Sequence, residues 1–246
     1  MSGHSKWATI KHAKGAADAK RGQVFTKLIK EISIAARMGG GNPEGNPRLR
    51  TAVLKARVAN MPKDNIERAI KKGTGELEGV SYEELVYEAY APGGVAIFIE
   101  VLTENKNRAA ADIRNILTRA GGQLATSGSV SRLFKRQGVF TLDGEKYTED
   151  AVLEAALEGG AEDVSLSEGI LEVKSAPEDF EAVLEALQKK NFETMSAEIS
   201  MVAEVDVSLD NDGTAKVLRL IDKLEENDDV QHVYSNIAIP EGFEAE

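Results

Sequence analysis

Five basic residues, Lys6, Lys11, Lys14, Lys20 and Arg21, fall within the first 21 positions against a single acid, Asp18. Two of the three histidines, His4 and His12, and the one tryptophan, Trp7, lie among them. The chemistry that these types support is polyanion binding rather than bond breaking. Lys and Arg displace counterions from phosphates, and an indole stacks on a base. Lys6, Trp7, Lys11, His12, Lys14, Lys20 and Arg21 are therefore candidate nucleic-acid contacts. Few apolar side chains here are periodic enough to pack; Ala8, Ile10 and Ala13 are the main ones. The stretch reads as a flexible basic arm over residues 1–21, ordered by its partner. The alternatives are a solubilising polar tail and packing of Trp7 and Ile10 onto the helices that follow. No apolar run follows the charges, which argues against a secretory signal.

The elements that must carry the remaining cations are helices. Val24, Phe25, Leu28, Ile32 and Ala35 recur at three- and four-residue steps and share one face, with Lys27, Lys30 and Arg37 mainly off it. Gly39-Gly-Gly41 ends that helix, and residues 42–47 are turn chemistry. The glycines are no phosphate loop, because no Gly-Lys-Ser/Thr follows and no apolar strand precedes them. Asn46 before Pro47 is a helix start. The helix over 48–60 buries Leu49, Val53 and Ala56 and carries Arg48, Arg50, Lys55 and Arg57. Pro62 opens a third helix with Ile66, Ala69 and Ile70 as its apolar side, Lys71 and Lys72 at its C-terminal dipole and Gly73 as its stop. Lys27, Lys30, Arg48, Arg50, Lys55 and Arg57 thus join the candidate nucleic-acid contacts. The last four lie around a helix rather than converging on one edge, so backbone contacts are expected of them rather than base readout.

Charge divides the chain. Residues 1–75 hold 16 Lys and Arg against 5 Asp and Glu, a balance of +11; residues 76–246 hold 14 against 36, a balance of −22. A basic front on an acidic remainder points to a polyanion partner for the front. The plainer alternative is attraction between neighbouring units of opposite sign, which salt screens.

Beyond Ser81 the period changes. Residues 85–90 and 95–102 read as strands around Pro92-Gly-Gly94. Residues 107–120 form an amphipathic helix through Ala110, Ile113, Ile116 and Leu117, and 130–134 a short strand. Then come a strand at 139–142, a helix capped by Thr148, a hairpin over 164–173, a helix opened by Pro177 and a strand at 194–201. That order, βαββαβ, is the split-βαβ, ferredoxin-like arrangement. Strands at 203–207 and 230–235 flank a helix at 214–224. Neither those three elements nor the ββα unit at 82–120 buries a core alone, so they are expected to combine around an insertion. The fold class is α+β multidomain: a three-helix basic domain followed by two ferredoxin-like α+β sandwiches, the last inserted into the middle one. The expected units are an arm at 1–21, helices at 22–79, a discontinuous domain at 80–135 with 203–246, and an inserted domain at 136–202.

Other chemistry is poorly supplied. There is no cysteine, which removes disulfides, thiolate metal sites and Cys nucleophiles. Outside the arm the one histidine is His232, so His-based acid–base or metal sites have little support. Glu225, Glu226, Asp228 and Asp229 read as a solvated acidic patch without Ca²⁺-loop spacing. No catalytic residue, metal site or cofactor is assigned, and no apolar run approaches a membrane span.

Nine short motifs in order, Gly3-His-Ser-Lys-Trp7, Asp18-Ala-Lys-Arg-Gly22, Phe25-Thr-Lys27, Gly39-Gly-Gly41, Asn46-Pro-Arg-Leu-Arg50, Tyr87-Glu88, Pro92-Gly-Gly94, Gly121-Gly122 and Gly128-Ser-Val130, resemble the YebC/PmpR family over essentially the whole chain. That family includes the mitochondrial translational activator of cytochrome oxidase. The resemblance implies three domains with the third inserted into the second, a cytoplasmic location and a regulatory, non-enzymatic role. Family members are described as DNA-binding transcriptional regulators or as ribosome-associated translation factors. The partner expected is therefore nucleic acid, either DNA or ribosomal or messenger RNA, in the setting of transcription machinery or ribosome. A protein–protein adaptor using the acidic units is the reading from another class. No membrane partner is expected, and a monomer is.

Overall fold

The computed structural model describes residues 21–240 and 242–243, and of Arg21 its backbone alone. The expectations for Lys6, Trp7, Lys11, His12, Lys14, Lys20 and the Arg21 side chain lie outside the described residues.

Three helices come first: α1 (Arg21–Gly39), α2 (Pro47–Val58) and α3 (Lys63–Thr74). Ile32, Ala35, Leu49, Ala52, Ala56 and Ile66 form their shared core. Asn46 joins two of them. Its Oδ1 accepts the Leu49 amide at 3.1 Å, capping α2. Its Nδ2 donates to the carbonyls of Ala35 and Gly40, both at 2.8 Å, closing α1. One buried side chain thus satisfies orphan groups of both helix ends. The third helix does not stop at Gly73. It runs to Thr74 and ends on Gly75, whose φ of 83° is left-handed. Gly73 is glycine for another reason: a Cβ there would stand 2.3 Å from the Ser33 carbonyl oxygen of α1. The residue lets two helices approach backbone to backbone.

The rest of the chain builds two four-stranded antiparallel sheets. Its elements are β1 (Glu83–Tyr90), β2 (Ala96–Thr103), α4 (Lys106–Arg119), β3 (Gln123–Leu124), β4 (Phe134–Asp143), α5 (Glu149–Glu158), β5 (Ala161–Ser167), β6 (Ile170–Ser175), α6 (Phe180–Lys189), β7 (Thr194–Ala203), β8 (Val207–Ser208), α7 (Asn211–Glu225), β9 (Val230–Ser235) and β10 (Ile237–Ala238). One sheet has the order β3-β1-β2-β9. Ile97, Ile99 and Val101 of β2 meet Ile113 and Leu117 of α4 and Val217 and Ile221 of α7. The other sheet has the order β5-β6-β4-β7, the spatial order of a split-βαβ unit. Phe140, Leu142, Leu171 and Val173 pack there against Val152 of α5 and Val183 and Leu187 of α6.

Two expected strands are absent. Residues 130–134 are not extended: Ser131–Leu133 is a 3-10 turn, and the strand begins at Phe134. The cause is Glu88, a buried carboxylate that accepts the amides of Gly128, Val130 and Ser131. Those donors are then lost to any ladder. Burial alone would push this carboxyl up, but the three amides hold it below the usual range. Residues 203–207 form no strand of the first sheet either. β7 runs on to Ala203, and β8 pairs in parallel with β10 outside both sheets. The first sheet obtains its fourth strand instead from two-residue β3, beside β1. Thr148 does stand before α5 but makes no capping bond with its side chain.

Gly73→Ala tests the helix contact. The added methyl would favour an isolated helix, yet it meets backbone that has no rotamer to change. The expected net loss is about 1–3 kcal/mol, the cost of overpacking, read from urea unfolding. A stabilised variant would remove this account of Gly73.

Candidate nucleic-acid interface

The bundle's cations divide into two sets. One set faces inward. Along α1, Gln23 donates to the carbonyls of Glu225 and Glu226, and Lys27 Nζ to that of Glu225 at 2.6 Å. Lys30 Nζ donates to the Asp228 carbonyl at 2.8 Å and to Asp229 Oδ1 at 2.6 Å. These carbonyls lie at the C-terminal end of α7, where orphan acceptors and the negative end of the dipole favour a cation. Asp229 also accepts Thr103 Oγ1 and Arg108 Nη2, both at 3.0 Å. Lys30 is 7% exposed and Asp229 4%. Burial would raise the Asp229 carboxyl, but bonds from Lys30, Arg108 and Thr103 outweigh it and hold the group below the usual Asp range.

Arg48 is a further inward cation. Its Nε and Nη2 reach the two oxygens of Glu31 at 2.7 and 3.1 Å, and Nη2 also meets Glu84 of β1. Burial opposes its charge, and the two carboxylates more than offset that, raising its pKa further. Arg37 donates to Ser81 Oγ and, at 2.7 Å, to the Tyr82 carbonyl. Lys27, Lys30 and Arg48 were candidates for phosphate contact. The structure places them instead in the joint between the bundle and the first sheet. Lys30 in particular offers no charge to solvent.

The other set faces out. Arg50, Lys55 and Arg57 of α2 are exposed, as expected. Beside them Leu54 is 60% exposed and Val58 75%. Residues 50, 54, 57 and 58 follow three- and four-residue steps, so the solvent side of α2 is an apolar strip edged with guanidinium groups. Sequence reasoning missed those two apolar residues. The signal was present, since Leu54 and Val58 are out of phase with buried Leu49, Val53 and Ala56. It also left out Lys63 and Arg68 of α3, both exposed. Lys71 and Lys72, read there as dipole residues, are exposed too. Arg50, Lys55 and Arg57 lie on the same two-turn stretch and converge on no cleft.

Among the described residues, no group of three or more His, Cys, Asp and Glu is placed to hold a metal ion, and no helix is long and apolar enough to cross a membrane. Burial raises the carboxyl of Glu100, with Arg136 opposing. Its hydrogen-bond partner is Tyr234 at 3.5 Å, and that pair sits against the second sheet rather than in a cleft.

Comparison with known proteins covers nearly the whole chain. Residues 5–76 match a family model described as the TACO1/YebC protein N-terminal domain, and residues 82–237 one described as the TACO1/YebC second and third domain. A probable transcriptional regulatory protein of Treponema denticola is 68% identical over 244 residues, 99% of each chain. Another from Leptospira biflexa is 55% identical over 245 residues, again 99% of each chain. The crystal structure of a conserved hypothetical protein from Aquifex aeolicus superposes with a TM-score of 0.81 at 48% identity, covering 91% of this chain and 93% of that one.

The joint yields a stability prediction with a pH signature. Lys30→Met takes one of its two cations from the buried Asp229 carboxylate, which keeps Arg108 and Thr103, and is expected to cost about 3 kcal/mol, the low end of what removing one partner of a buried pair costs. In Asp229→Asn the loss should depend on pH. The folded pKa of Asp229 lies below its unfolded value, so the carboxylate stabilises fully above the ordinary Asp value of about 3.9. That contribution is lost as pH falls below it through the folded pKa. Urea unfolding should therefore show wild type and Asp229→Asn converging below that point; a constant difference across pH would remove the assignment.

Proposed function

Because the chain belongs to the TACO1/YebC family, we propose that it is a regulator of gene expression that grips nucleic acid through the solvent side of its helical bundle. The family is one of regulators rather than enzymes. The observation that carries this reading is the outward set of cations on α2, Arg50, Lys55 and Arg57, held exposed on a helix whose other side is core. They suit phosphates, which fix a protein on a duplex without reading sequence. The relatives' description as probable transcriptional regulatory proteins favours DNA as the polymer. In this reading the chain works in the cytoplasm as a monomer, and its units are an arm at 1–21, helices at 22–79, a discontinuous sandwich at 80–135 with 203–246, and an inserted ferredoxin-like sandwich at 136–202.

A second reading, translation control through RNA, has an observation of its own. Leu54 and Val58 project among the cations. A duplex backbone offers them little apolar surface, whereas unpaired RNA bases present their faces. The acidic units, at −22 over residues 76–246, would then repel phosphate and keep the bundle as the gripping end.

Binding measured by fluorescence anisotropy across a salt series tests the reading. Arg50→Ala, Lys55→Ala and Arg57→Ala together should weaken binding to all sequences alike. The slope of log affinity against log salt should fall by roughly 0.7–0.9 for each phosphate contact removed. A loss confined to one sequence would contradict backbone gripping, and full-strength binding by residues 76–246 alone would remove the bundle from the function. Structured RNA and duplex DNA run side by side separate the two polymers: the tighter at physiological salt is the partner.

A further inference from the structure

The sheet β5-β6-β4-β7 has two edges, and only one is protected. At the first, β5 carries Glu162 and Asp163, and its register against β6 shifts between Ala161 and Asp163. Charge and a bulge are how an edge strand turns away further pairing. β7 forms the other edge. Its sequence, Thr194–Ala203, has no proline, lysine or arginine, and Glu198 is its one charge. Among the described residues β7 pairs with β4 alone. The backbone amides and carbonyls that alternate away from β4 thus have no ladder there. A register shift between Thr141 and Leu142 disturbs only the start of the strand.

The side chains along this edge sort by face. Ala197 packs on the core beneath α5 and α6, and Met201 packs against the cluster of Phe98, Phe134 and Tyr234. Ile199 lies between them on the same face by strand alternation, yet it is 38% exposed, and Met195 is 57% exposed. None of that core's buried residues comes from β7. Glu198 is on the opposite face, across from Val139. Because Met201 and Ala203 run against the first sheet, the open length is residues 194–199, that of an ordinary strand. The unit behind it is acidic: residues 134–203 hold 16 Asp and Glu against 6 Lys and Arg, a balance of −10.

We propose that the open edge of β7 is a binding site for an extended, cationic segment of another protein, which adds to the four-stranded sheet as a further strand. Main-chain hydrogen bonds hold such a segment, and its side chains at alternate positions select it. Apolar side chains on one face cover Ile199 and Met195. Lys or Arg on the other face meets Glu198 and the acidic unit behind it. A second copy of this chain is a poor occupant. Pairing β7 with β7 would set two units of −10 edge to edge and place both Glu198 carboxylates on one face. The same charge repels nucleic acid. Basic extended segments are a feature of proteins that themselves bind nucleic acid. A regulator whose bundle grips the polymer would thus hold a neighbouring protein on it through this edge. That last step rests on the nucleic-acid reading above; the edge site does not.

The probe is a labelled peptide of alternating valine and lysine, added to the full chain and followed by fluorescence anisotropy. It should bind. The same peptide with every second valine replaced by proline should not, because proline keeps the charge and removes ladder donors. Ile199→Lys puts a cation at an exposed point of the edge and should weaken binding roughly tenfold, with circular dichroism and nucleic-acid binding as in wild type. Amide hydrogen exchange needs no variant: the outward amides of residues 195–199 should slow when the peptide is added. Equal binding by the proline peptide would reduce the attraction to charge and overturn the proposal. So would unaltered exchange along β7, or full affinity in Ile199→Lys. A dimer in sedimentation that the peptide breaks would give the edge to a second copy and equally overturn it. Loss of nucleic-acid binding in the α2 variants leaves these readouts unmoved, so the two readings fail separately.

Discussion

The contact between Lys30 and Asp229 decides how the molecule is put together. An ammonium and a carboxylate this deeply buried are tolerated only with further hydrogen bonds, and both have them. The lysine also takes the Asp228 carbonyl; the aspartate also takes Thr103 and Arg108. Together these partners come from the bundle, from β2, from the start of α4 and from the turn before β9. Moving the bundle would strand the buried Lys30 ammonium and leave Asp229 with Arg108 as its one cation. Its orientation is therefore fixed by electrostatics rather than by a shared hydrophobic core, and the apolar clusters of bundle and first sheet remain separate.

That arrangement changes the meaning of the basic front. A balance of +11 over residues 1–75 looks like charge offered to a partner. Part of it is used internally, against carbonyls at the end of α7 and against Glu31, Glu84 and Asp229. What remains outward on α2 is a short patch, edged by apolar side chains. The plainer alternative, attraction between units of opposite sign, is thus realised for Lys27, Lys30 and Arg48, while Arg50, Lys55 and Arg57 keep the outward role.

The sequence was most legible where a pattern is local. Helix starts at Asn46-Pro47 and after Pro62, the alternation that builds the split-βαβ unit and the apolar faces of the helices all follow from spacing within a few residues. It was least legible where a residue's partner lies far along the chain. Gly73 looks like a helix stop until Ser33 is placed beside it. Residues 130–134 look extended until Glu88, some 40 positions earlier, claims their amides. Lys30 looks solvent-facing because it falls off the apolar stripe of α1, and nothing local reveals an aspartate 199 residues away. Asp229 reads as part of a solvated patch for the same reason, whereas its neighbour Asp228 is exposed as expected. A lysine's type does not distinguish a phosphate contact from a buried tether; only its surroundings do.

The placement of β9 has a consequence for synthesis. β2 is complete by Thr103, but the strand that pairs with its outer edge begins at Val230, after the whole split-βαβ unit and α7. Long-range pairing of that kind is slow and leaves edges exposed while it waits. On the ribosome, the helical bundle and the second sheet can each close on contiguous stretches of chain as these emerge. The first sheet cannot: its inner strand β2 keeps an unpaired edge until β9 is made. Asp229 arrives at the same moment. The bundle, made before either sheet, is thus fastened only when β9 completes the first sheet and Asp229 reaches Lys30.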